Sequence, residues 1–257
     1  MRFGCAVKLE QIERVQEAGY DYVELPVLAL RAESPDTEFE QVRERIQSYE
    51  VSAEAWGSLL PPDMKVTGPE VDKYRIERYL RTAFERIEEL GGEIVVFGSA
   101  AARRVPDGFS MDEARDQIIE FVTLAGQVAG IHGITIAVAP LNKKECNIIN
   151  TLSEAVELIK AADHPFVKVL ADVYQMEEEG ESFQDVIDAG NELVHVHTAD
   201  TNRGYPGSGA FKHGEFFDVL RTIGYNDRMT VDCNWRDFRT EPAKALEFLR
   251  GLDAESL

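Results

Sequence analysis

The sequence predicts an α/β protein, a single (β/α)8 barrel spanning residues 1–257. Three observations lead there. Eight short β-rich runs recur along the chain, a helical pattern follows each, and the length matches the roughly 250 residues of an eight-fold barrel built as one unit.

The first run, 2–7, is followed by Lys8-Leu9-Glu10, whereas an open doubly wound sheet usually carries a glycine-rich phosphate loop at that point. The barrel is therefore preferred over the open sheet. Runs at 20–25, 51–56 and 93–97 come next. Between the last two, Ile76, Tyr79, Leu80, Ala83, Ile87 and Leu90 follow the three-and-four spacing of one buried helix face. Helix starts are marked by Ser110-x-x-Glu113 and Thr151-x-x-Glu154, the capping-box pattern that satisfies unpaired backbone N–H groups. The remaining runs fall at 134–139, 167–172, 193–199 and 229–234, and the acidic stretch 177–181 reads as a solvated βα loop. Gly19, Gly92, Gly133 and Gly224 each stand before a strand, where a left-handed residue ends a helix.

Hydrophobic residues make up 44% of the chain, enough to bury a sizeable core. The net charge of −20 repels a phosphate backbone, and the densest basic spot is the pair Arg103-Arg104, so nucleic acid is not an expected partner. No apolar run approaches the roughly 20 residues that span a bilayer, and Met1-Arg2-Phe3-Gly4 enters a strand pattern directly. The expectation is a soluble cytoplasmic protein with no membrane partner; a homodimer is the default assembly on frequency alone. Cys5, Cys146 and Cys233 lack metal or disulfide spacing and read as small buried or near-site thiols in a reducing compartment.

In such a barrel the active site is built from strand C-termini and the loops after them. The polar residues there are Glu24, Glu54, Asn142, Asn147, Asp172, Gln175, His195, His197, Asp200, Arg203 and Asp232, with Trp56 and Trp235 beside them. Asp172, His197 and Asp232 end three successive strands. One imidazole and two carboxylates suit Mn²⁺ or Mg²⁺, with Co²⁺ or Zn²⁺ as alternatives, unless the three are separate hydrogen-bonding residues. His195 and His197 share a face of their strand, which leaves His195 as a ligand, a substrate contact or a support for its neighbour. Arg203 opens a turn-rich loop, 203–209, that either holds a substrate hydroxyl or phosphate or is a plain barrel loop. Arg103 and Lys212 are further cations for such a group. Trp56 and Trp235 are either sugar-facing walls or core.

Four segments carry a family resemblance: Val-Phe-Gly-Ser with Ala-Arg-Arg-Val-Pro-Asp-Gly-Phe-Ser (within 95–110), Pro-Leu-Asn-Lys-Lys-Glu-Cys-Asn-Ile-Ile-Asn (140–150), Leu-Ala-Asp-Val-Tyr-Gln-Met (170–176) and His-Val-His-Thr-Ala-Asp-Thr-Asn-Arg-Gly-Tyr-Pro-Gly-Ser-Gly (195–209). With them the chain resembles, nearly end to end, the sugar phosphate isomerase/epimerase group of xylose isomerase-like barrels, which includes ketose 3-epimerases, hydroxypyruvate isomerases and inosose dehydratases. The resemblance implies one divalent metal held by Glu, Asp, His and a second Glu at the ends of strands five to eight. Asp172 and His197 match the Asp and His, and Asp232 stands at the second Glu. The first Glu falls at Ala139, and Gln175 replaces a usual histidine. In the 3-epimerase pattern the two glutamates also form the acid/base pair on opposite substrate faces, so the departure at 139 removes one of them.

The expected function is a sugar or sugar phosphate isomerase or epimerase that abstracts a proton next to a carbonyl with metal assistance, with Asp232 or Glu54 as base. Asp172, His197 and Asp232 would hold the metal, and Trp56, Asn142, His195, Arg203 and Trp235 would line the carbohydrate site. No organic cofactor is expected. The alternatives are a barrel that binds carbohydrate or regulates without catalysis, and a metal-assisted dehydratase or lyase. A multi-zinc endonuclease site is disfavoured, because the chain has five histidines and two of them, His132 and His164, read as structural.

Overall fold

In the computed structural model, which describes residues 1–254, eight parallel strands close into a barrel in chain order. They are β1 (Arg2–Ala6), β2 (Tyr22–Pro26), β3 (Ser52–Gly57), β4 (Ile94–Phe97), β5 (Thr135–Val138), β6 (Val167–Asp172), β7 (Leu193–Thr198) and β8 (Arg228–Val231). The ring shuts where β1 pairs with β8, from Arg2↔Arg228 to Cys5↔Val231. Around it lie α1 (Ile12–Ala18), α2 (Asp36–Gln47), α3 (Lys73–Glu89), α4 (Ala100–Arg103), α5 (Met111–Ile131), α6 (Leu152–Ala162), α7 (Val173–Glu179), α8 (Phe183–Ala189), α9 (His213–Thr222) and α10 (Glu241–Ala254). All eight expected strands are present, most with ends displaced by one or two residues. The largest displacement is at β8, which ends at Val231 and leaves Asp232, Cys233 and Asn234 beyond the ladder.

Alternation along the strands sorts side chains into two apolar layers. Tyr22, Ala55, Ile94, Val96, Ala137, Ala139 and Leu170 fill the lumen. Trp56, Val95, Phe97, Ile136, Val138 and Ala171 face outward onto the helices. The face read from the sequence of α3 is buried at Ile76, Tyr79, Leu80, Ala83 and Ile87. Among the described residues no helix is long and apolar enough to cross a membrane.

Three local expectations are corrected. Ser110 and Thr151 accept the backbone N–H groups of Glu113 and Glu154, but neither box is reciprocal, and the Glu154 carboxylate takes the N–H of Asn150 instead. The left-handed glycine before β4 is Gly91, with φ 77°, not Gly92. A side chain at Gly92 would strike Ile87 and the Trp56 indole. Finally, most of the stretch read as a loop at 177–181 is the end of α7 with its Gly180 cap. Glu181 is half-buried and accepts the N–H of Leu152, and burial pushes its carboxyl up to about 7.

Two predictions follow from the packing. A Cβ at Gly4 would lie 2.2 Å from the Tyr22 ring. Gly4→Ala should therefore lower the free energy of urea unfolding by about 1–3 kcal/mol through overpacking of the lumen. The folded state holds the Glu181 proton more tightly than the unfolded chain does, so stability falls as pH rises from the ordinary carboxylate range through about 7. Thermal melts across that range should show a smaller fall for Glu181→Gln; an identical slope would mean Glu181 titrates alike in both states.

Candidate active site

A cavity of about 630 Å³ opens at the C-terminal ends of the strands. Its chemistry begins at its floor, with Glu24 on β2. This buried carboxylate accepts hydrogen bonds from Nε2 of His195 and Nε2 of His197, both at 3.0 Å. Burial alone would raise the Glu24 pKa, but the two imidazoles outweigh it and hold the group well below the usual carboxylate range. His195 is fully buried and continues to Thr230 at 3.2 Å, which bonds the Tyr22 hydroxyl at 2.8 Å. His195 therefore supports His197 from beneath and does not line the cavity.

With Nε2 committed to Glu24, His197 presents Nδ1 to the cavity, 3.8 Å from Asp172 Oδ2 and 3.8 Å from Asp232 Oδ2. Burial pulls the His197 pKa down, yet Glu24, Asp232 and Asp172 raise it to about 9. Burial raises Asp172 to about 6 against the pull of His197. Asp172 ends β6 and caps α7, its Oδ1 accepting from the N–H groups of Tyr174 and Gln175. That cap fixes one oxygen and leaves Oδ2 facing His197.

One donor atom from each of Asp172, His197 and Asp232 lies within 4.8 Å of the others, which fits a divalent cation bound by two carboxylates and one imidazole. The Glu24 bond behind His197 is the carboxylate–histidine arrangement that orients metal-bound imidazoles. At the fourth position Ala139 offers only a methyl group to the lumen, and its carbonyl accepts from Arg103 Nη1 at 2.8 Å. The residues thus fit a three-donor site with open positions. Glu24, His195 and His197 also cluster closely enough to hold a cation, but there both imidazole Nε2 atoms already share one Glu24 oxygen.

Arg203 crosses the mouth. Its Nη2 donates to Asp232 Oδ2 at 2.7 Å and its Nη1 to Glu145 Oε1 at 3.3 Å, while the guanidinium stacks 5.1 Å from the Tyr174 ring centre. Asn202 and Arg203 both have left-handed backbones, φ 59° and 58°, which non-glycine residues seldom adopt. Asp200 holds this turn by accepting the N–H groups of Thr201, Gly207 and Phe211. Trp235 lines the cavity after β8, packs edge-on against Phe238, and has a buried indole N–H without a partner among the described residues.

The remaining expected site residues lie elsewhere. Glu54 occupies a bulge three residues before the end of β3, about 10 Å below the rim at roughly 3.3 Å per residue. It pairs there with Arg2 and Arg228 at the N-terminal face, so it is a stability residue and not a base. Trp56 points outward, is fully buried, and donates to Ala53 O at 3.2 Å. Asn142 is buried as a brace, donating to Gln175 Oε1 and accepting from the N–H groups of Lys144 and Glu145. Asn147 braces Val105, Arg103 is fully buried against backbone carbonyls, and Lys212 is exposed beside Glu215. Glu145 was missed as an individual residue, since it lies within 140–150 with no motif of its own. Glu24 is a strand-end residue to which the sequence assigns no role.

A family model described as xylose isomerase-like TIM barrel matches residues 12–252. The chain is 27% identical over 255 residues to L-ribulose 3-epimerase of Methylomonas sp., covering 91% of this chain and 87% of that protein. It is 30% identical over 178 residues to 3-dehydro-D-guloside 4-epimerase of Escherichia coli, covering 66% of each. The backbone superimposes on the crystal structure of D-psicose 3-epimerase with D-tagatose from Clostridium cellulolyticum H10 at a TM-score of 0.84 and 22% identity, over 98% of this chain and 99% of that one.

Replacing Glu24 by Gln leaves a neutral acceptor between two imidazoles that now face an anion. Loss of the charged hydrogen bonds should cost about 1.5–3 kcal/mol in urea unfolding, against little change for an exposed control such as Glu247→Gln.

Proposed function

We propose that this chain, which belongs to the xylose isomerase-like TIM barrel family, is a sugar isomerase or epimerase that moves a proton next to the carbonyl of a small ketose or related polyol. The observation that carries this reading is the convergence of Asp172, His197 and Asp232 at the floor of the cavity, with Glu24 locking the far nitrogen of His197. Asp172, His197 and Asp232 are the residues that would hold a divalent ion. Such an ion, Mn, Mg, Co or Zn, would supply positive charge against the negative charge that develops beside the reacting carbon.

The chain's own groups supply the rest. Asp232 stands past the end of β8 with its carboxylate in the cavity, positioned by Arg203, and takes the proton from the carbon beside the carbonyl. Arg203 offers charged N–H groups to a substrate oxygen. Trp235 supplies an apolar wall. The lining favours an uncharged sugar over a phosphate ester. Glu24, Glu145, Asp172 and Asp232 line the cavity together with Lys8, Arg203 and His197, and two of these cations are already committed, Arg203 to Asp232 and Glu145 and His197 to Glu24.

The methyl of Ala139 favours one competing reading, a barrel that binds a sugar without turning it over, since one carboxylate of the usual pair is gone. Elemental analysis of protein purified without chelator, paired with a screen of free ketopentoses and ketohexoses, separates the two. The enzyme reading expects about one metal per chain, its loss in Asp172→Ala, and ketose turnover that falls about 100-fold or more in Asp232→Asn. Sugar binding with neither metal nor turnover would establish the binding barrel instead.

A further inference from the structure

We infer that Glu145 is the second proton-carrying group of this site and restores the pair that Ala139 breaks. The inference rests on the epimerase reading above and names a residue that the reading does not use.

A proton must leave one face of the substrate carbon and arrive on the other for a configuration to invert, and one carboxylate cannot stand on both faces. Ala139, at the end of β5, carries no proton. Six residues on, the same βα loop brings Glu145 to the cavity wall. β5 and β8 stand three strands apart in the closed ring of eight, so Glu145 and Asp232 enter from well-separated parts of the rim.

Glu145 is also fixed as a reacting group needs to be. Its N–H donates to the carbonyl and the side-chain oxygen of Asn142, and its own carbonyl accepts from Arg104. The two side-chain oxygens are held separately, Oε2 by Gln175 Nε2 at 3.2 Å and Oε1 by Arg203 Nη1 at 3.3 Å. The position usually taken by histidine, Gln175, thus holds the carboxylate on one side and the Asn142 brace on the other. The Arg203 guanidinium joins Glu145 to Asp232 through its two terminal nitrogens. A substrate carbonyl and hydroxyl replacing those contacts would lie between the two carboxylates.

The step balances as an isomerisation without redox change. Asp232 removes the proton, the C–H pair becomes the enediolate double bond, and the carbonyl π pair moves to oxygen. Glu145, freed from Arg203 by the substrate and carrying a proton taken from water, returns it to the same carbon from the opposite face while the carbonyl re-forms. Asp232 is left protonated and Glu145 ionised, and exchange with water resets both; the reverse reaction exchanges their roles.

The test is deuterium uptake at the reacting carbon, followed by NMR in D₂O for the epimer pair that the wild-type protein interconverts in the ketose screen. Glu145→Gln should lower epimer formation about 100-fold while one epimer still exchanges its proton through Asp232 and the other becomes inert. Asp232→Asn should show the opposite selectivity, and Glu145→Asp should recover part of the interconversion. A thermal melt and the exchange of the surviving epimer report whether Glu145→Gln is folded; if it is not, the ratio of exchange to epimerisation in Glu145→Asp decides, and a ratio unchanged from wild type counts against the role. Unimpaired epimerisation in Glu145→Gln, or equal loss of exchange for both epimers through a raised KM, would reduce Glu145 to a binding contact and leave the epimerase reading intact. A wild-type protein that neither exchanges nor turns over any ketose would overturn the epimerase reading, and this inference with it.

Discussion

The buried carboxylate of Glu24, set between two imidazoles, is the interaction on which the site depends. A charge in the lumen is costly unless it is fully hydrogen-bonded, and here His195 and His197 both donate to it. The pairing determines which nitrogen His197 turns toward the cavity, and so where Asp172 and Asp232 can share a ligand with it. Small residues make room for the arrangement. A side chain at Gly57 would come within 2.8 Å of Glu24 Oε1, and one at Gly4 would strike the Tyr22 ring that supports Thr230 and His195.

Above this floor, Arg203 organises the mouth. Its left-handed backbone is sustained by Asp200, whose carboxylate gathers three N–H groups of the following loop. The guanidinium then partly neutralises a cavity rich in carboxylates and holds Asp232 and Glu145 in a common frame. At the opposite end of the barrel, Arg2, Glu54, Glu93, Asp227 and Arg228 form a separate ion cluster. Charge at the N-terminal face closes the ring where β1, β3 and β8 begin, whereas charge at the C-terminal face is left for a ligand.

The proposed sugar chemistry rests on relatives named as sugar epimerases and on a cavity lined by four carboxylates. The methyl at Ala139 sets this chain apart. The lumen carries no carboxylate at that position, while the loop after β5 holds Glu145 at the cavity wall through Asn142, Gln175 and Arg203.

From the sequence alone, the barrel, its eight strands and the segments bearing the site were legible, because strand periodicity and helix faces are local properties that recur eight times. Asp172, His197 and Asp232 were legible as strand-end residues for the same reason. The tertiary structure decided which polar residues meet. Glu54 and Trp56 sat in the right strand but failed, one because a bulge leaves it near the bottom of the barrel, the other because alternation turns it outward. Asn142 and His195 were right in neighbourhood and proved to be braces. The partnership of Glu24 with residues 171 and 173 positions away, and of Arg203 with Glu145 across 58, left no local trace, since such contacts arise only when the closed ring brings distant strand ends around one axis.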